Sequence, residues 1–423
     1  LILILTTKMA LVSDYQFYYD TALCFAKQVP FVPGEYMIGV APNTLSYISF
    51  LGGVFRVFGE SLFVGLLFNL FFTTFSVWLL FLCGRKLMDK THAFVCALLY
   101  ALSPSTFLYS LSLAIEPLAM VTFLLGLYGF FIAYEKKKPF HQGGISLLAG
   151  MVLGYSNEVR SNAIALLVAL VVFLLFFSKK KPRERGRLLL SFLAGFLLVK
   201  GLYGFYQQQV FQTSTGITFG WALYEGLDIN TFGGWSKENS QVLMDTLKKY
   251  PPQEVQKVLL QKAFERGKGY TASQWLTLFL GKGMNMWAVN GYSVINILQQ
   301  GTSPWLKEGY LWAYGAVHIP YWLLMGGFTF STIAYPFGRW RKKEKKEKHE
   351  EKQVILTMTI LALVVAHSFI TSIDRYHYGI IPIMMLLLFS ILSQEKKTFC
   401  LTATRKTLEK NSKNKSEKIT LEG

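Results

Sequence analysis

The chain has 423 residues, of which 52% are hydrophobic and 16% aromatic, and only 16% are charged. About a quarter of the residues of an ordinary soluble domain are charged, so this composition excludes that class and indicates an integral membrane protein. The formal net charge of +18 does not indicate a nucleic-acid partner, because the lysines and arginines occur in short blocks between apolar runs. Such blocks are typical of the cytoplasmic loops of membrane proteins.

The chain opens on an apolar run, 1–12, that is too short to cross the roughly 30 Å of a bilayer core. We expect this run to be the end of a first transmembrane helix. A more polar stretch follows to about residue 60, and its prolines and glycines predict short interfacial helices and turns. The predicted spans after it are 61–84, 92–108 with an interruption at Ser103-Pro104, 111–134, 143–155, 161–177, 188–206, 309–338, 354–372 and 378–393.

The basic blocks fix the predicted topology. If the chain start is cytoplasmic, every block follows an outward-to-inward crossing, as the positive-inside rule requires. The sequence therefore predicts an all-α polytopic protein of the cell membrane with about ten transmembrane helices, the first one truncated. Its predicted regions are an N-terminal transmembrane module 1–206 with a first external loop 13–60, a large external loop region 207–308, C-terminal transmembrane helices 309–395, and a basic, disordered cytoplasmic tail 396–423.

Two carboxylates lie in the first external loop. Asp14 directly follows the first predicted span, where the end of a rigid helix can position it for catalysis, and a role in capping a helix behind Ser13 stays open. Asp20 is six residues further on and therefore on another face of a helix. It is either a metal or substrate ligand or a solvated loop residue.

Further polar residues lie near the predicted outer ends of the spans, where charge is costly unless it is paired, hydrated or functional. Arg375 is followed by aromatic side chains, and its guanidinium can hold a phosphate through two hydrogen bonds. Glu116 is either a functional group or a first-turn carboxylate favoured by the helix dipole. Arg160 either binds a ligand or pairs with Glu158.

The large external loop region contains two more candidates. The segment with Asp228 and Asn230 either forms a tight turn, of which its glycine, asparagine and aspartate content is typical, or contributes to a polar site. Lys282 lies in a short apolar stretch, where it is either a second phosphate-binding cation or a side chain that reaches from apolar surroundings to water.

Four stretches resemble the GT-C membrane glycosyltransferases, more narrowly the bacterial relatives of the dolichyl-phosphate-mannose protein mannosyltransferases and the lipid A aminoarabinose transferases. The resemblance covers roughly residues 1–395. The stretches are Ser13-Asp14 with Tyr18-Tyr19 and Ala22, then Arg160, then Gly226-Leu227-Asp228-Ile229-Asn230 through Gly233-Gly234-Trp235, and finally Arg375-Tyr376 with Pro382.

The resemblance implies an inverting transfer of a sugar from a polyprenyl-phosphate-sugar donor to a glycan, lipid or protein acceptor at the outer face of the membrane. It implies that Asp14 is the catalytic base or a ligand of a divalent metal, Mg²⁺ or Mn²⁺. It assigns the carrier phosphate to Arg375, Arg160, Lys282 and Tyr376. Beside these residues, we expect Asp20, Glu116, Asp228 and Asn230 to form an additional polar site. A polymerase or ligase of lipid-linked glycans, and a transporter of them, remain the alternatives.

Overall fold

The computed structural model describes residues 11–29, 44–211, 218–295, 309–342 and 350–394. All regular secondary structure within these ranges is helical. The predicted end of a first span falls outside them except for residues 11 and 12, and the predicted basic tail falls outside them entirely. Both therefore stay predictions.

The helices are numbered in chain order. The first part of the chain forms α1 (Asp14–Lys27), α2 (Thr44–Phe58), α3 (Leu62–Arg85), α4 (Lys90–Ala101), α5 (Pro104–Tyr109), α6 (Glu116–Glu135), α7 (Pro139–Val159), α8 (Ala163–Val172) with a π-helical extension (Phe173–Phe177), and α9 (Pro182–Phe211). The remainder forms α10 (Thr218–Gly226), α11 (Lys237–Lys249), α12 (Pro252–Lys268), α13 (Ala272–Trp287), α14 (Tyr310–Lys342), α15 (Glu350–Phe369), a 3-10 helix (Asp374–Gly379) and α16 (Ile381–Gln394).

Four helices of the described chain, namely α3, α6, α9 and α15, are long and apolar enough to cross a membrane. Helices α2, α8 with its extension, and α16 are apolar but shorter. The all-helical prediction is confirmed for the described ranges, whereas the count of about ten crossings stays a prediction. The predicted interruption at Ser103-Pro104 is confirmed, because α4 ends at Ala101 and α5 begins on the proline, which suits a first helical position.

Small residues let the helices of the apolar bundle approach closely. Helix α7 packs between α6 and α9, and α6 also packs against α3. A Cβ atom added at Gly150 of α7 would collide with the backbone of Phe192 in α9, and one at Gly195 of α9 would collide with the backbone of Leu147. The closeness of these two helices therefore requires glycine on both sides of the contact.

Charged residues lie at both ends of α6. At its C-terminal end, Glu135 accepts hydrogen bonds from Lys86 Nζ and Lys352 Nζ, each at 2.6 Å, and so joins α3, α6 and α15. At its N-terminal end lies Glu116, about 30 Å away by the rise of a helix of this length. Glu135 and its two lysine partners therefore lie at the opposite end of α6 from Glu116.

The described part of the predicted external region 207–308 is mostly helical. Helices α10 to α13 surround a hydrophobic core of their own, which includes Trp221, Leu243, Leu259 and Leu278. We call these helices and the turn between α10 and α11 the α10–α13 unit. The prediction of a tight turn after Gly226 is confirmed, because Gly233 has a positive φ of 75° and its N–H donates to Asp228 O.

Candidate active site

Asp14 is the first residue of α1. Tyr15 and Tyr18 of the same helix are buried against the bundle, which fixes the side of the helix that faces inward. The Asp14 side chain is 40% exposed, and its Oδ2 lies 3.2 Å from Nη1 of Arg375. The side chain of Ser13 makes no capping hydrogen bond, and the carboxylate of Asp14 is directed to a cation from the far end of the sequence.

Arg375 lies in the 3-10 helix and is almost completely buried. Its Nε donates to Glu116 Oε1 at 2.5 Å, and its Nη1 donates both to Asp14 and to the Tyr292 hydroxyl, the latter at 3.1 Å. The guanidinium therefore lies between two carboxylates that are separated by about a hundred residues of sequence.

Glu116 lies at the start of α6 and is 2% exposed. Its Oε1 accepts from Arg375 and lies 3.1 Å from Nη1 of Arg160. Four charges thus alternate in sign from Asp14 through Arg375 and Glu116 to Arg160, and they sum to zero. Because the two inner groups are buried, each depends on its neighbours for compensation of its charge.

Two atoms of this array have no hydrogen-bond partner among the described residues, namely Glu116 Oε2 and Arg160 Nη2. Both are buried. Unsatisfied buried polar atoms are rare in folded proteins and are often found at functional sites. The guanidinium of Arg160 also lies over the ring of Tyr376, 5.2 Å from its centroid.

A partly open cleft adjoins the array. The charged residues that line it are Glu116, Arg160 and Arg375. The remaining lining residues are mostly apolar or small, namely Ala119, Met120, Phe123, Ser156, Asn162, Ala163, Leu363, Tyr378 and Gly379. The cleft is therefore polar at the array and apolar away from it.

The structure brings five of the predicted site residues together, namely Asp14, Glu116, Arg160, Arg375 and Tyr376. It places Asp20 elsewhere on α1, exposed and hydrogen-bonded to Gln16 at 2.8 Å. The alternative that Arg160 pairs with Glu158 is wrong, because Glu158 Oε1 pairs with Lys200 Nζ at 3.1 Å and Arg160 pairs with Glu116.

Asp228 and Asn230 shape the turn of the α10–α13 unit. One oxygen of the Asp228 carboxylate accepts from the Asn230 backbone N–H at 3.0 Å, and the other accepts from Asn239 Nδ2 at 2.7 Å. These bonds belong to a turn stabilised by an aspartate side chain. Neither residue lines the cleft.

Lys282 is buried in α13 and does not line the cleft. Its Nζ donates to the backbone carbonyls of Gly226 and Ile370, at 2.6 Å each. Burial lowers the pKa of Lys282 to about 7, and burial likewise raises the pKa of the nearby Glu225 to about 7. The contacts of Lys282 join the α10–α13 unit to the segment that leads into Arg375.

Two residues of the site, Asp374 and Tyr292, were not predicted from the sequence. Asp374 Oδ2 accepts from the backbone N–H groups of Gly291 and Tyr292, both at 2.8 Å, and this holds the Tyr292 hydroxyl at Arg375. Burial raises the pKa of the Asp374 carboxyl. The adjacency of Asp374 to Arg375 was a usable signal, whereas nothing in the local sequence distinguishes Tyr292 from other interfacial tyrosines.

The described residues contain no group of three or more histidine, cysteine, aspartate or glutamate side chains that could hold a metal ion. The two carboxylates nearest each other at the site, those of Asp14 and Glu116, have the guanidinium of Arg375 between them. Among the described residues, Asp14 and Glu116 therefore do not form a two-carboxylate metal site, because the position between them is taken by a cation of the protein itself.

Comparison with known proteins identifies the fold. Residues 44–203 match the family model described as dolichyl-phosphate-mannose-protein mannosyltransferase. No curated protein sequence matches the chain. Among solved structures, the chain is similar to the archaeal oligosaccharyltransferase AglB from Archaeoglobus fulgidus in complex with an inhibitory peptide and a dolichol-phosphate, with 14% identity, a TM-score of 0.50, and coverage of 95% of this chain and 48% of that one.

It is also similar to ArnT from Cupriavidus metallidurans bound to undecaprenyl phosphate, with 11% identity, a TM-score of 0.37, and coverage of 92% and 75% of the two chains. The chain spans about half the length of AglB, at 48%. The predicted resemblance is confirmed at the level of the superfamily: this membrane protein has the fold of the GT-C glycosyltransferases.

Proposed function

We propose that the chain is an integral, multi-pass membrane glycosyltransferase. It moves a sugar from a polyprenyl-phosphate-linked donor to an acceptor hydroxyl at the outer face of the membrane, with inversion at the anomeric carbon. The observation that carries the proposal is the contact between Asp14 and Arg375, in which a partly exposed carboxylate meets a buried guanidinium beside the cleft. A base and a phosphate-binding cation are the two groups that this reaction needs.

The cleft supports a lipid-phosphate donor. A polyprenyl phosphate joins an anionic head to an apolar chain, and the cleft places two guanidinium groups beside apolar side chains such as Met120, Phe123 and Leu363. AglB, whose fold this chain shares, was solved with a dolichol-phosphate. Arg375 and Arg160 are therefore the proposed ligands of the carrier phosphate, and Tyr376 positions Arg160 through its ring.

The neutral array suggests how donor and base are coupled. Because the four charges of the array cancel, an incoming phosphate binds most favourably when it replaces Asp14 as the partner of Arg375 Nη1. Asp14 is the replaceable carboxylate, since it is 40% exposed whereas Glu116 is 2% exposed. Donor binding then releases the Asp14 carboxylate to accept the proton of the acceptor hydroxyl as the new C–O bond forms.

The departing phosphate gains negative charge in the transition state. Arg375 lies in a buried environment where its interaction with that charge is strong, and Glu116 and Tyr292 fix its orientation. The sugar passes to the acceptor oxygen, the phosphate leaves with the bonding electron pair, and the hydroxyl proton ends on Asp14. The remaining predicted groups, Asp20, Asp228, Asn230 and Lys282, take no direct part in this proposal.

The test is sugar transfer from synthetic polyprenyl-phospho-sugars by the purified protein in detergent. Asp14→Asn should abolish transfer and retain donor binding, whereas Asp20→Asn, a matched change on the exposed side of the same helix, should leave transfer unchanged. Arg375→Ala should lose donor binding. Transfer by Asp14→Asn at the rate of the wild type would overturn the assignment of the base.

A chelator separates the two roles that were left open for Asp14. Unchanged transfer in the chelator would leave the base as its role, whereas loss of transfer with recovery in Mg²⁺ or Mn²⁺ would assign it to a metal. No transfer from any such donor, with donor binding retained, would favour a polymerase, ligase or transporter of lipid-linked glycans instead.

A further inference from the structure

Helix α13 carries an exposed apolar stripe. Leu276, Leu280 and Met284, spaced by four residues, are each at least 60% exposed, and Phe279 lies beside them at 37%. Residues four apart lie on the same face of a helix, so these side chains form one continuous line. We call it the α13 stripe. An exposed apolar surface of this kind on a folded unit generally marks a contact with something apolar.

The α13 stripe contains no charge. Lys282 is the one charged residue of the helix, and it is buried on another side, where it donates to the carbonyls of Gly226 and Ile370. The orientation of α13 is therefore fixed by internal contacts. The stripe is left facing away from the α10–α13 unit.

The stripe is continuous with the apolar surface of a candidate membrane span. Phe279 packs edge-on against Phe369, the last residue of α15, with ring centroids 5.7 Å apart. Along α15, Leu361, Val365 and Phe369 are spaced by four residues and are also exposed. Since α15 is long and apolar enough to cross a membrane, its exposed apolar line is suited to contact with lipid, and the α13 stripe extends that line.

Helix α13 is not among the helices of the described chain that are long and apolar enough to cross a membrane. Sixteen residues make a helix of about 24 Å, shorter than the roughly 30 Å hydrocarbon core. Trp275 and Trp287 lie near its two ends, and tryptophan is enriched where a protein passes from lipid to water. A short helix with one apolar face and tryptophans near its ends is typical of a helix lying in the membrane boundary.

We propose that α13 lies in the membrane boundary at the end of α15, with the α13 stripe in contact with lipid acyl chains. The helix thereby anchors the α10–α13 unit on the bilayer beside the segment that carries Arg375. The anchor does not depend on which reaction the protein catalyses, so its test needs no sugar donor.

The test places a nitroxide spin label on single cysteines in the protein reconstituted in lipid nanodiscs, after replacement of the native cysteines. Leu280→Cys and Met284→Cys report the α13 stripe. Val365→Cys on α15 is the reference for lipid contact, and Lys262→Cys, exposed on α12, is the reference for water. Far-ultraviolet circular dichroism and gel filtration select the variants that retain the fold. Two positions of the α13 stripe are labelled so that the test can still be made if one variant does not fold.

Labels at both stripe positions should match the label at position 365, with high accessibility to oxygen and accessibility to a water-soluble nickel chelate several-fold lower than at position 262. High accessibility to the nickel chelate at the stripe would show that α13 faces water and would overturn the proposal. Low accessibility to both reagents would show that protein covers the stripe, either a second copy or another segment of this chain, and would overturn it as well.

Discussion

The two carboxylates that contact Arg375 should differ in their effect on stability when their charge is removed. Glu116 is 2% exposed and lies between Nε of Arg375 and Nη1 of Arg160. Glu116→Gln keeps the shape of the side chain but leaves two guanidinium groups without their shared counter-charge. Removal of one partner from a buried ion pair costs about 3–5 kcal/mol, so we expect a loss of that order in the free energy of unfolding.

Asp14→Asn should cost far less stability. The Asp14 side chain is 40% exposed, and solvent screens its interaction with Arg375, which keeps Glu116 as a partner. Exposed ion pairs contribute about 1 kcal/mol or less. The prediction is therefore that Glu116→Gln loses stability and, with Arg375 displaced, loses transfer, whereas Asp14→Asn loses transfer alone.

Thermal denaturation of the purified variants in one detergent measures the stability, and the transfer assay measures the activity. Glu158→Gln is the matched control, because Glu158 is also buried but its partner Lys200 is half-exposed. Native proteins are stable by only about 5–15 kcal/mol, so the loss expected for Glu116→Gln is readily visible. A melting temperature for Glu116→Gln equal to that of Glu158→Gln would refute the role of Glu116 in holding the site.

Three further predictions concern the contacts of the α10–α13 unit. The pKa of Lys282 is lowered from 10.5 to about 7, so between these pH values the unfolded chain binds more protons than the folded one. The melting temperature should therefore rise with pH across this range, and Lys282→Met should remove the rise. The pKa of Glu225 is raised from 4.5 to about 7, so between these pH values the folded chain binds more protons than the unfolded one. The contribution of Glu225 to stability should therefore fall as pH rises from 4.5 to about 7, and Glu225→Gln should remove this fall. A Cβ at Gly226 would collide with the backbone of Phe369, whereas one at Gly283 would meet nothing within 4 Å. Gly226→Ala should therefore lower the melting temperature, and Gly283→Ala should raise it slightly, since alanine favours a helix by about 1 kcal/mol.

Much of the helical framework could be predicted from the sequence, because long apolar runs and their basic ends are local signals. The interruption at Ser103-Pro104 was predictable for the same reason, since proline restricts the residue before it. The number of crossings was harder to predict, because an apolar run of intermediate length forms a helix whether or not it spans the bilayer.

The candidate residues of the site were largely predictable, but their partners were not. Charge near the outer ends of spans indicated Asp14, Glu116, Arg160 and Arg375 one by one. Their pairing joins residues as far apart as 361 positions, and no local pattern encodes such a contact. Arg160 shows the difficulty, since the nearby Glu158 was the obvious partner in sequence and Glu116 is the partner in space.

The position of Arg375 depends on the α10–α13 unit and the turn that follows it. Just before Arg375, the Ser372 N–H donates to Gly233 O at 2.9 Å, and just after it, His377 hydrogen-bonds to the Met286 carbonyl. Between these contacts, the Asp374 carboxylate accepts the two backbone N–H groups that place Tyr292. A short segment held at three points has little freedom to shift, and a guanidinium must be fixed before the reaction if it is to stabilise a transient charge. The large loop region therefore contributes to the site by holding Arg375 in place, although none of its described residues lines the cleft.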